Sequence, residues 1–215
     1  MLKGKGVALR AMEHEDLEKL RVMRNEHLWD NIFRQYRPLT SADQERYWNN
    51  VVNHENFVVF VITIPKLSET HKEIAVFDGD TNPRYFKKEE DQVIGEVRAG
   101  YINWRNRWAE LGIFLGKEHM GHGYGRDALY LLLDYAFNNL NLHAIRAETV
   151  TPKVADLFRE FMFTDIGQTH GTTFKDGEFK VDYILEVYVG RWFQHRKEIY
   201  ATAVEPHVEP APQTF

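Results

Sequence analysis

The sequence predicts an α/β domain built on a mixed β-sheet, and three observations carry that prediction. An apolar strand over 109–115 runs through a glycine-rich loop into a helix with an apolar stripe. The predicted elements follow one another along the chain in the order strand, two helices, three strands, helix, strand, helix, two strands. The chain has 215 residues, 43% of them hydrophobic, which is enough to bury one substantial core.

The first part of the chain predicts a strand, two helices and a second strand. Residues 6–10 form a short strand, and a helix follows over 15–27. Capping-box spacing at Ser41 begins the second helix. The apolar, β-branched run 57–64 predicts a buried strand that Pro65 ends. The inner face of the second helix consists of Tyr47, Trp48, Val51 and Val52.

The middle of the chain predicts an insertion and then an antiparallel strand pair. Residues 66–91 are polar and charged, which is typical of an insertion, and a short hairpin is expected near 74–77. Strands follow over 93–104 and 109–115, separated by a break at 105–107. After the glycine loop, one helical face carries Leu129, Leu132, Leu133, Ala136 and Leu140.

The last part of the chain completes the domain. A strand over 144–150 is followed by a helix, for which Thr151 supplies the N-cap and Pro152 the first turn. Residues 163–174 and 179–189 form a hairpin around a Lys-Asp-Gly-Glu turn. We therefore predict one domain over 1–190. Residues 191–215 form a C-terminal extension with a short helix and a proline-containing tail.

Composition excludes several classes of function. The chain has no cysteine, so it has no disulfide, no thiolate nucleophile and no cysteine-ligated metal. Its net charge of −5 argues against binding nucleic acid through phosphate neutralisation. No apolar run reaches membrane-spanning length and the N-terminus does not begin a signal peptide, so we expect a cytoplasmic protein without a membrane partner.

The glycine loop is a candidate phosphate site. A strand that turns through glycines into a helix presents bare N–H groups and the positive end of the helix dipole to one point. Any Cβ in this loop would hold a diphosphate away from the backbone. Glycines of this kind also serve strand-to-helix turns that bind nothing, so the loop alone leaves both interpretations open. The loop consists of Met120, Gly121, His122, Gly123, Tyr124, Gly125 and Arg126.

Several motifs distributed over residues 3–189 resemble those of one family. They are Leu9-Arg10, Arg24-Asn25, Ile94-Gly95, Glu110-Leu-Gly-Ile, Gly121-His-Gly-Tyr-Gly, Leu132-Leu-Leu-Asp-Tyr-Ala-Phe and Phe174-Lys-Asp-Gly-Glu-Phe. Through these motifs, the chain resembles the GCN5-related N-acetyltransferase (GNAT) family. Within it, the resemblance is greatest to the branch that holds ribosomal-protein N-terminal, polyamine and amino-sugar acetyltransferases. The resemblance implies a mostly antiparallel sheet of about six to seven strands, splayed at the acetyl-CoA site and flanked by about four helices.

The resemblance also implies where the cosubstrate acetyl-CoA binds. The loop from Met120 to Arg126 would hold its diphosphate. Phe114, Leu115 and Gly116 would pair with the pantetheine arm, and the Leu115 N–H would hold the thioester oxygen. Further cofactor contacts are expected from Thr151 and Phe158. The amine attacks the thioester directly, so the missing cysteine is no obstacle.

The chain departs from the family pattern at positions that bear on catalysis. Met120 replaces the usual Arg or Gln of the loop, which costs only ~1–3 kcal/mol of binding because backbone makes most phosphate contacts. Thr151 and Met162 stand where Asn and Gly are usual. Phe158 stands where the family has the tyrosine that protonates the departing thiolate, so slower chemistry or inactivity is expected. Tyr124 and Tyr183 are candidate substitutes.

A general base must take the proton of the attacking ammonium. At pH 7, neutralising a lysine-like amine costs about 4–5 kcal/mol, and a peptide α-amine only about 1. Glu110 is the predicted base, because strand alternation places it on the same face as Gly112 and Phe114. A solvated carboxylate, or one paired with Arg107, is equally compatible with the pattern, and Glu96 is the reserve candidate.

The acceptor is predicted as a protein or peptide N-terminal amine, with amino-sugar nucleotides and polyamines as alternatives. Arg24, Asn25, Trp29 and Tyr36 are the predicted substrate-binding residues. The aromatic loop 28–39 fits a substrate wall and a packed connector equally well. His119 and His122 are not expected to bind a metal. A homodimer is compatible with the sequence.

Two other classes of function remain open on the sequence. A CoA-binding protein without turnover is motivated by Phe158 and Met120. A nucleotide-binding oxidoreductase is motivated by Glu148, at the spacing of a ribose-binding acid, but the loop lacks the Gly-x-Gly-x-x-Gly pattern.

Overall fold

A computed structural model of the chain describes residues 1–26, 37–65, 91–175 and 177–202. An eight-stranded sheet runs through the described part in the order β1-β2-β3-β4-β5-β6-β8-β7. Every neighbouring pair is antiparallel except β5 and β6, which run parallel. The strands are β1 Leu2–Lys3, β2 Ala8–Ala11, β3 Val58–Pro65, β4 Asp91–Asn103, β5 Trp108–Leu115, β6 Ala144–Thr149, β7 Thr164–Lys175 and β8 Glu178–Tyr188.

Helices cover both faces of this sheet. The α-helices are α1 Asp16–Glu26, α2 Ser41–Tyr47, α3 Tyr124–Asn138, α4 Pro152–Glu160 and α5 Val189–Thr202. A π-helical segment, Trp48–Val52, continues α2, and a 3-10 turn, Lys117–His119, follows β5. No helix within the described ranges is both long and apolar enough to cross a membrane.

Two apolar clusters hold the layers together. The larger lies between the sheet and α3, α4 and α5, and its fully buried members include Leu129, Leu132, Phe161 and Trp192. The smaller lies between the sheet and α1 with the α2 segment, and includes Leu17 and Leu20. Because the two clusters occupy opposite faces, any group that enters through the sheet passes from one helical layer towards the other.

The predicted fold class is confirmed, with differences in detail. The sheet has eight strands rather than six or seven because Leu2–Lys3 adds a short edge strand beside β2. Five α-helices are described rather than four, since the chain after Tyr188 forms a full helix. The predicted hairpin near 74–77 and most of the predicted insertion 66–91 lie outside the described residues. Asp91 already belongs to β4.

The capping box lies one residue earlier than predicted. Thr40, and not Ser41, is the N-cap of α2, because its hydroxyl accepts the Asp43 N–H at 3.2 Å. The Asp43 carboxylate in return accepts the Thr40 N–H at 2.8 Å. This carboxylate also pairs with Arg37, and these hydrogen bonds from Arg37 and Thr40 hold the Asp43 pKa well below its usual range.

Helix α5 packs on the same core as the rest of the domain. Trp192 is fully buried, and its ring centroid lies 5.2 Å from that of Tyr130 on α3. Arg196 pairs with Asp134 of α3 at 2.7 Å. At the far end of the helix, Lys5 donates to the Tyr200 carbonyl at 2.7 Å. The predicted boundary at residue 190 stays a prediction, and in space the helix after it adds to the core.

Replacing Trp192 tests how much α5 contributes to stability. Trp192→Ala leaves a large cavity between α5 and α3, so we expect the free energy of unfolding to fall by about 3–5 kcal/mol. The measurement is urea denaturation followed by circular dichroism. The matched control is Phe193→Ala, since the neighbouring Phe193 is 42% exposed and should cost about 1 kcal/mol or less. Equal effects of the two variants would show that α5 is not part of the core.

Candidate active site

The sheet opens between β5 and β6. These strands pair only at Trp108 with Ala144, Ala109 with Ile145 and Glu110 with Arg146. Beyond this point β5 stays with β4 and β6 stays with β8, and the two halves of the sheet separate. Strand residues 111–115 therefore face a gap where a neighbouring strand would normally lie.

The alternation of β5 shows which backbone groups face this gap. The Gly116 N–H donates to the Ile94 carbonyl on β4 at 2.8 Å. Because N–H groups alternate in direction along a strand, those of Leu111, Ile113 and Leu115 point the other way, towards β6. An extended molecule with amide groups fits this edge in the manner of an added strand.

The glycine loop lies between the 3-10 turn after β5 and the start of α3. Gly121 and Gly123 have φ of +83° and +81°, which side chains with a Cβ rarely adopt. Gly123 is the N-cap of α3, and no side chain caps this end of the helix. Within the described residues, the N–H groups of Gly121, Gly123, Tyr124 and Gly125 donate to no acceptor. This is the chemistry of an anion site, since bare amides and the helix dipole favour negative charge.

Space around the loop fits a diphosphate. A Cβ built on Gly121 would meet no atom within 4 Å, so the surface in front of this residue is open. Met120 is 50% exposed and places no charge there. His122 and Tyr124 stack on each other with ring centroids 5.7 Å apart. Arg126 pairs with Glu160 of α4.

Glu110 lies at the last paired position before the gap. Its neighbours in register are Gly100 on β4 and Arg146 on β6. Its carboxylate has no hydrogen-bond or ion-pair partner among the described residues, and Arg107 does not pair with it. The Arg107 guanidinium instead donates to Asn141 at 3.4 Å. A half-buried carboxylate without a partner, next to the opening of the sheet, is free to accept a proton from a bound molecule.

A buried charged cluster occupies the same face of the sheet under α1 and α2. Glu96 is 1% exposed and accepts hydrogen bonds from Arg98 at 2.7 Å, Tyr47 at 2.5 Å and Arg24 at 3.1 Å. The Arg24 guanidinium also lies 4.6 Å above the ring of Phe114. The predicted residues Arg24 and Phe114 are thus brought together here, on the face that carries Glu110.

The electrostatics of this cluster keep Glu96 ionised. Burial alone would raise the pKa of Glu96, but the charges of Arg24 and Arg98, with hydrogen bonds from Tyr47 and Arg98, outweigh it and lower the pKa. Burial raises the Tyr47 pKa, and the neighbouring Glu96 charge adds to that effect. Glu96 therefore stays ionised, and both of its oxygens already accept hydrogen bonds.

The remaining predicted substrate residues fall into two groups. Asn25 accepts the Leu39 N–H at 2.7 Å and donates to the Leu39 carbonyl at 3.0 Å, so it anchors the chain just before α2. Trp29 and Tyr36 lie outside the described residues.

The aromatic residues near α4 include Phe158, which has no hydroxyl, and Tyr183, which has one. Phe158 is 3% exposed and packs against Phe163 with ring centroids 5.3 Å apart. Thr151 is the N-cap of α4, although its side chain makes no capping hydrogen bond. Tyr124, where the glycine loop ends and α3 begins, packs beside Gly6. Tyr183 lies opposite Thr149, the last residue of β6, and Arg159 of α4 sits 5.8 Å above its ring.

Four residues of this site were missed as functional candidates from the sequence. Tyr47 was assigned to the apolar inner face of its helix, and Arg98, Arg146 and Glu186 look like ordinary polar residues of half-exposed strands. Arg98 and Glu96 do alternate on one strand with period two, and that signal places them on one face. Arg146 and Glu186 come together only through the β6–β8 register. No described group of His, Cys, Asp and Glu has the arrangement of a metal site.

Comparisons with known proteins identify a family and a fold. The family described as "Acetyltransferase (GNAT) domain" matches residues 7–155. Spermidine N(1)-acetyltransferase of Vibrio cholerae is 31% identical over 150 residues, covering 66% of this chain and 87% of that protein. The probable N-acetyltransferase YjcK of Bacillus subtilis is 29% identical over 148 residues, covering 68% and 73%. A crystal structure of the Vibrio cholerae spermidine N-acetyltransferase with CoA and spermine matches the fold with a TM-score of 0.68 at 23% identity, covering 87% of this chain and 98% of that one.

Removing the charge of Glu96 tests the buried cluster. Glu96→Gln leaves Arg24 and Arg98 without a counter-charge, so we expect the free energy of unfolding to fall by about 3–5 kcal/mol at pH 7. Because the pKa of Glu96 is lowered on folding, its contribution is complete above its ordinary value of 4.5 and is lost as the pH falls further. The stability difference between parent and variant should therefore narrow in acid.

The measurement is urea denaturation between pH 3 and pH 8, and its control is Glu45→Gln. Glu45 is an exposed carboxylate paired with His14, and its removal should change little. A difference for Glu96→Gln that stays constant down to the lowest pH would contradict a lowered pKa.

Proposed function

The chain belongs to the GNAT acetyltransferase family, and from that membership we propose that it transfers the acetyl group of acetyl-CoA to a primary amine by direct attack of the amine on the thioester. An N-acetyltransferase of this family uses acetyl-CoA as its cosubstrate. The observation that carries the assignment of the site is the gap between β5 and β6 with the bare glycine loop at its end.

The residues present fit acetyl-CoA. The amides of Gly121, Gly123, Tyr124 and Gly125 would hold the diphosphate, where the dipole of α3 adds to their effect. The edge of β5 would pair with the pantetheine arm. When bound, acetyl-CoA supplies an acetyl group that is already activated as a thioester. The role predicted for the Leu115 N–H stays a prediction.

Glu110 is proposed as the general base. It lies where the sheet opens, on the face opposite α3, so a phosphate group at the glycine loop and an amine at Glu110 would approach from different sides. Its carboxylate would accept the proton that the amine must lose before it attacks. A polyamine nitrogen with a pKa near that of lysine makes this step cost about 4–5 kcal/mol at pH 7.

Polyamines are the acceptor class that the relatives support best. Spermidine is the acceptor in the name of the 31%-identical relative, and the comparisons give no comparable support to the peptide N-terminal amine expected from the sequence. We therefore propose a polyamine as the first acceptor to test, with a peptide amine as the second.

A weakly catalytic CoA-binding protein is the second candidate function. The observation that favours it is the buried Phe158, which has no proton to give to a departing thiolate. A thiol leaving group of pKa about 8.5 still departs without protonation at a reduced rate. Binding of acetyl-CoA with no transfer to any amine, and no gain in Phe158→Tyr, would support this second function over the first.

Alanine at Gly121 tests the phosphate site. Gly121 has a φ of +83° and Gly177 a φ of +81°, so alanine at either position carries a Cβ in the left-handed region. Neither Cβ would meet an atom within 4 Å. The backbone strain, about 1–2 kcal/mol, is therefore matched. We expect Gly121→Ala to weaken acetyl-CoA binding by roughly tenfold or more, and Gly177→Ala, at the β7–β8 turn, to leave it unchanged. Isothermal titration calorimetry measures both, and equal affinities would place the diphosphate elsewhere.

Turnover and the role of Glu110 are tested together by release of free thiol from acetyl-CoA. The parent protein should release thiol only when an amine is present, and spermidine and a short peptide are the two amines to compare. We expect Glu110→Gln to lower kcat/KM at pH 7 by about 10²–10⁴-fold with unchanged acetyl-CoA affinity. Glu178→Gln, at the exposed β7–β8 hairpin, is the control. Full activity in Glu110→Gln would remove Glu110 from the role of base.

A further inference from the structure

Glu110 stands between two arginines, yet neither of them pairs with it. Arg98 lies on the neighbouring strand β4, opposite Gly112, and Glu110 itself lies opposite Gly100. On the other side, Arg146 of β6 is the direct register partner of Glu110. Two guanidinium groups on the same face, one on each side, would normally capture a carboxylate between them.

The Arg98 side chain extends along the strand pair to within reach of Glu110. A Cβ built on Gly112 would lie 2.9 Å from the Arg98 Cζ, and one built on Gly100 would lie 3.8 Å from its Nε. Directly opposed residues of antiparallel strands have Cβ atoms about 4.5–5.5 Å apart. The guanidinium therefore lies within one side-chain length of the carboxylate opposite Gly100.

Arg146 lies on the other side of Glu110, as its register partner on β6. Its Cζ lies 4.7 Å above the ring of Trp108, two residues before Glu110 on the same strand. Residues two apart on a strand share one face, so Trp108, Arg146 and Glu110 project to the same side of the sheet. A change of rotamer would bring this guanidinium to Glu110.

Each arginine is instead held by a different, buried carboxylate. Glu96 accepts from Arg98 at 2.7 Å, and its side chain is 1% exposed. Glu186 of β8 accepts from the Arg146 Nε at 2.6 Å, and its side chain is 4% exposed. Buried charge pairs of this kind hold their geometry, because breaking either one leaves an uncompensated buried charge.

We propose that Glu96 and Glu186 are positioning residues, which hold Arg98 and Arg146 away from Glu110 and so keep its carboxylate available to accept a proton. The inference rests on the proposed function, in which Glu110 is the base. An arginine that paired with Glu110 would stabilise the charged carboxylate and weaken it as a base. The described charged and titratable groups on this face include Arg10 of β2, Asp16 and Arg24 of α1, Tyr47 of α2, Glu96 and Arg98 of β4, Arg146 and Glu148 of β6, and Glu186 and Tyr188 of β8. Tyr188 hydrogen-bonds to Glu186 and stays in place in the variants below.

The experiment uses Glu186→Gln, because Arg146 is 44% exposed and this pair is the less critical one for folding. We expect kcat with spermidine to fall by roughly 3- to 30-fold at neutral pH and the acidic limb of the pH–rate profile to move to lower pH. Acetyl-CoA affinity should not change. The double variant Glu186→Gln/Arg146→Met, which removes the released arginine, should recover most of the lost rate.

Rescue of both the rate and the pH–rate profile by the second substitution is the decisive outcome, because a merely structural role of Glu186 would lower stability without moving the acidic limb of that profile. A parental pH–rate profile in Glu186→Gln, or a double variant no better than the single one, would overturn the inference. Glu96→Gln with and without Arg98→Met repeats the test on the β4 side, provided that circular dichroism shows each variant to be folded.

A readout independent of turnover separates this inference from the proposed function. Carbon-13 NMR of the Glu110 side-chain carboxyl follows its protonation directly in the acetyl-CoA-free protein. We expect the titration midpoint to move to lower pH in Glu186→Gln and to return in the double variant. If the midpoint moves as expected but Glu110→Gln is fully active, the positioning is right and the role of Glu110 as base is wrong. If Glu110→Gln is inactive and the midpoint stays fixed, only the positioning is wrong.

Discussion

The short parallel contact between β5 and β6 is the constraint on which the rest of the site depends. Three residue pairs join the strands, and then each strand continues with its own half of the sheet. A strand edge left unpaired in the interior of a sheet is costly unless a partner satisfies it. The domain accepts this opening because the two halves are held separately, by the long antiparallel ladders β3–β4–β5 and β6–β8–β7.

The opening brings together groups that lie far apart in the sequence. The glycine loop follows β5 directly, so the bare amides before α3 lie at the end of the strand whose edge faces the gap. Glu110 lies at the other end, where the strands still touch. The anion site, the strand edge and the carboxylate thus form a line along one strand and its loop. This explains why a segment of about 20 residues contains most of the cofactor site that the sequence indicates.

On the face of the sheet that carries Glu110, the neighbouring arginines are paired with other carboxylates. Arg98 is paired with Glu96, and Arg146 is paired with Glu186. The Glu110 carboxylate, at the opening of the sheet, has no partner in the described part of the chain. Arg24 joins α1 to this face through Glu96, so the C-terminal end of α1 is tied to β4, the strand beside Glu110.

The sequence by itself determined the fold class, the order of elements and the glycine loop, because these depend on local patterns. Apolar periodicity defines helices and strands over short windows, and glycines before an apolar helix indicate a candidate anion site. The residues around Glu110 were decided only by the tertiary structure. Strand register determines which charged residues become neighbours, as with Arg146 and Glu186. Burial then determines which of these ion pairs keep their geometry. Neither register nor burial is a property of a sequence window, so a carboxylate with no partner could be recognised only after the strands were placed beside each other.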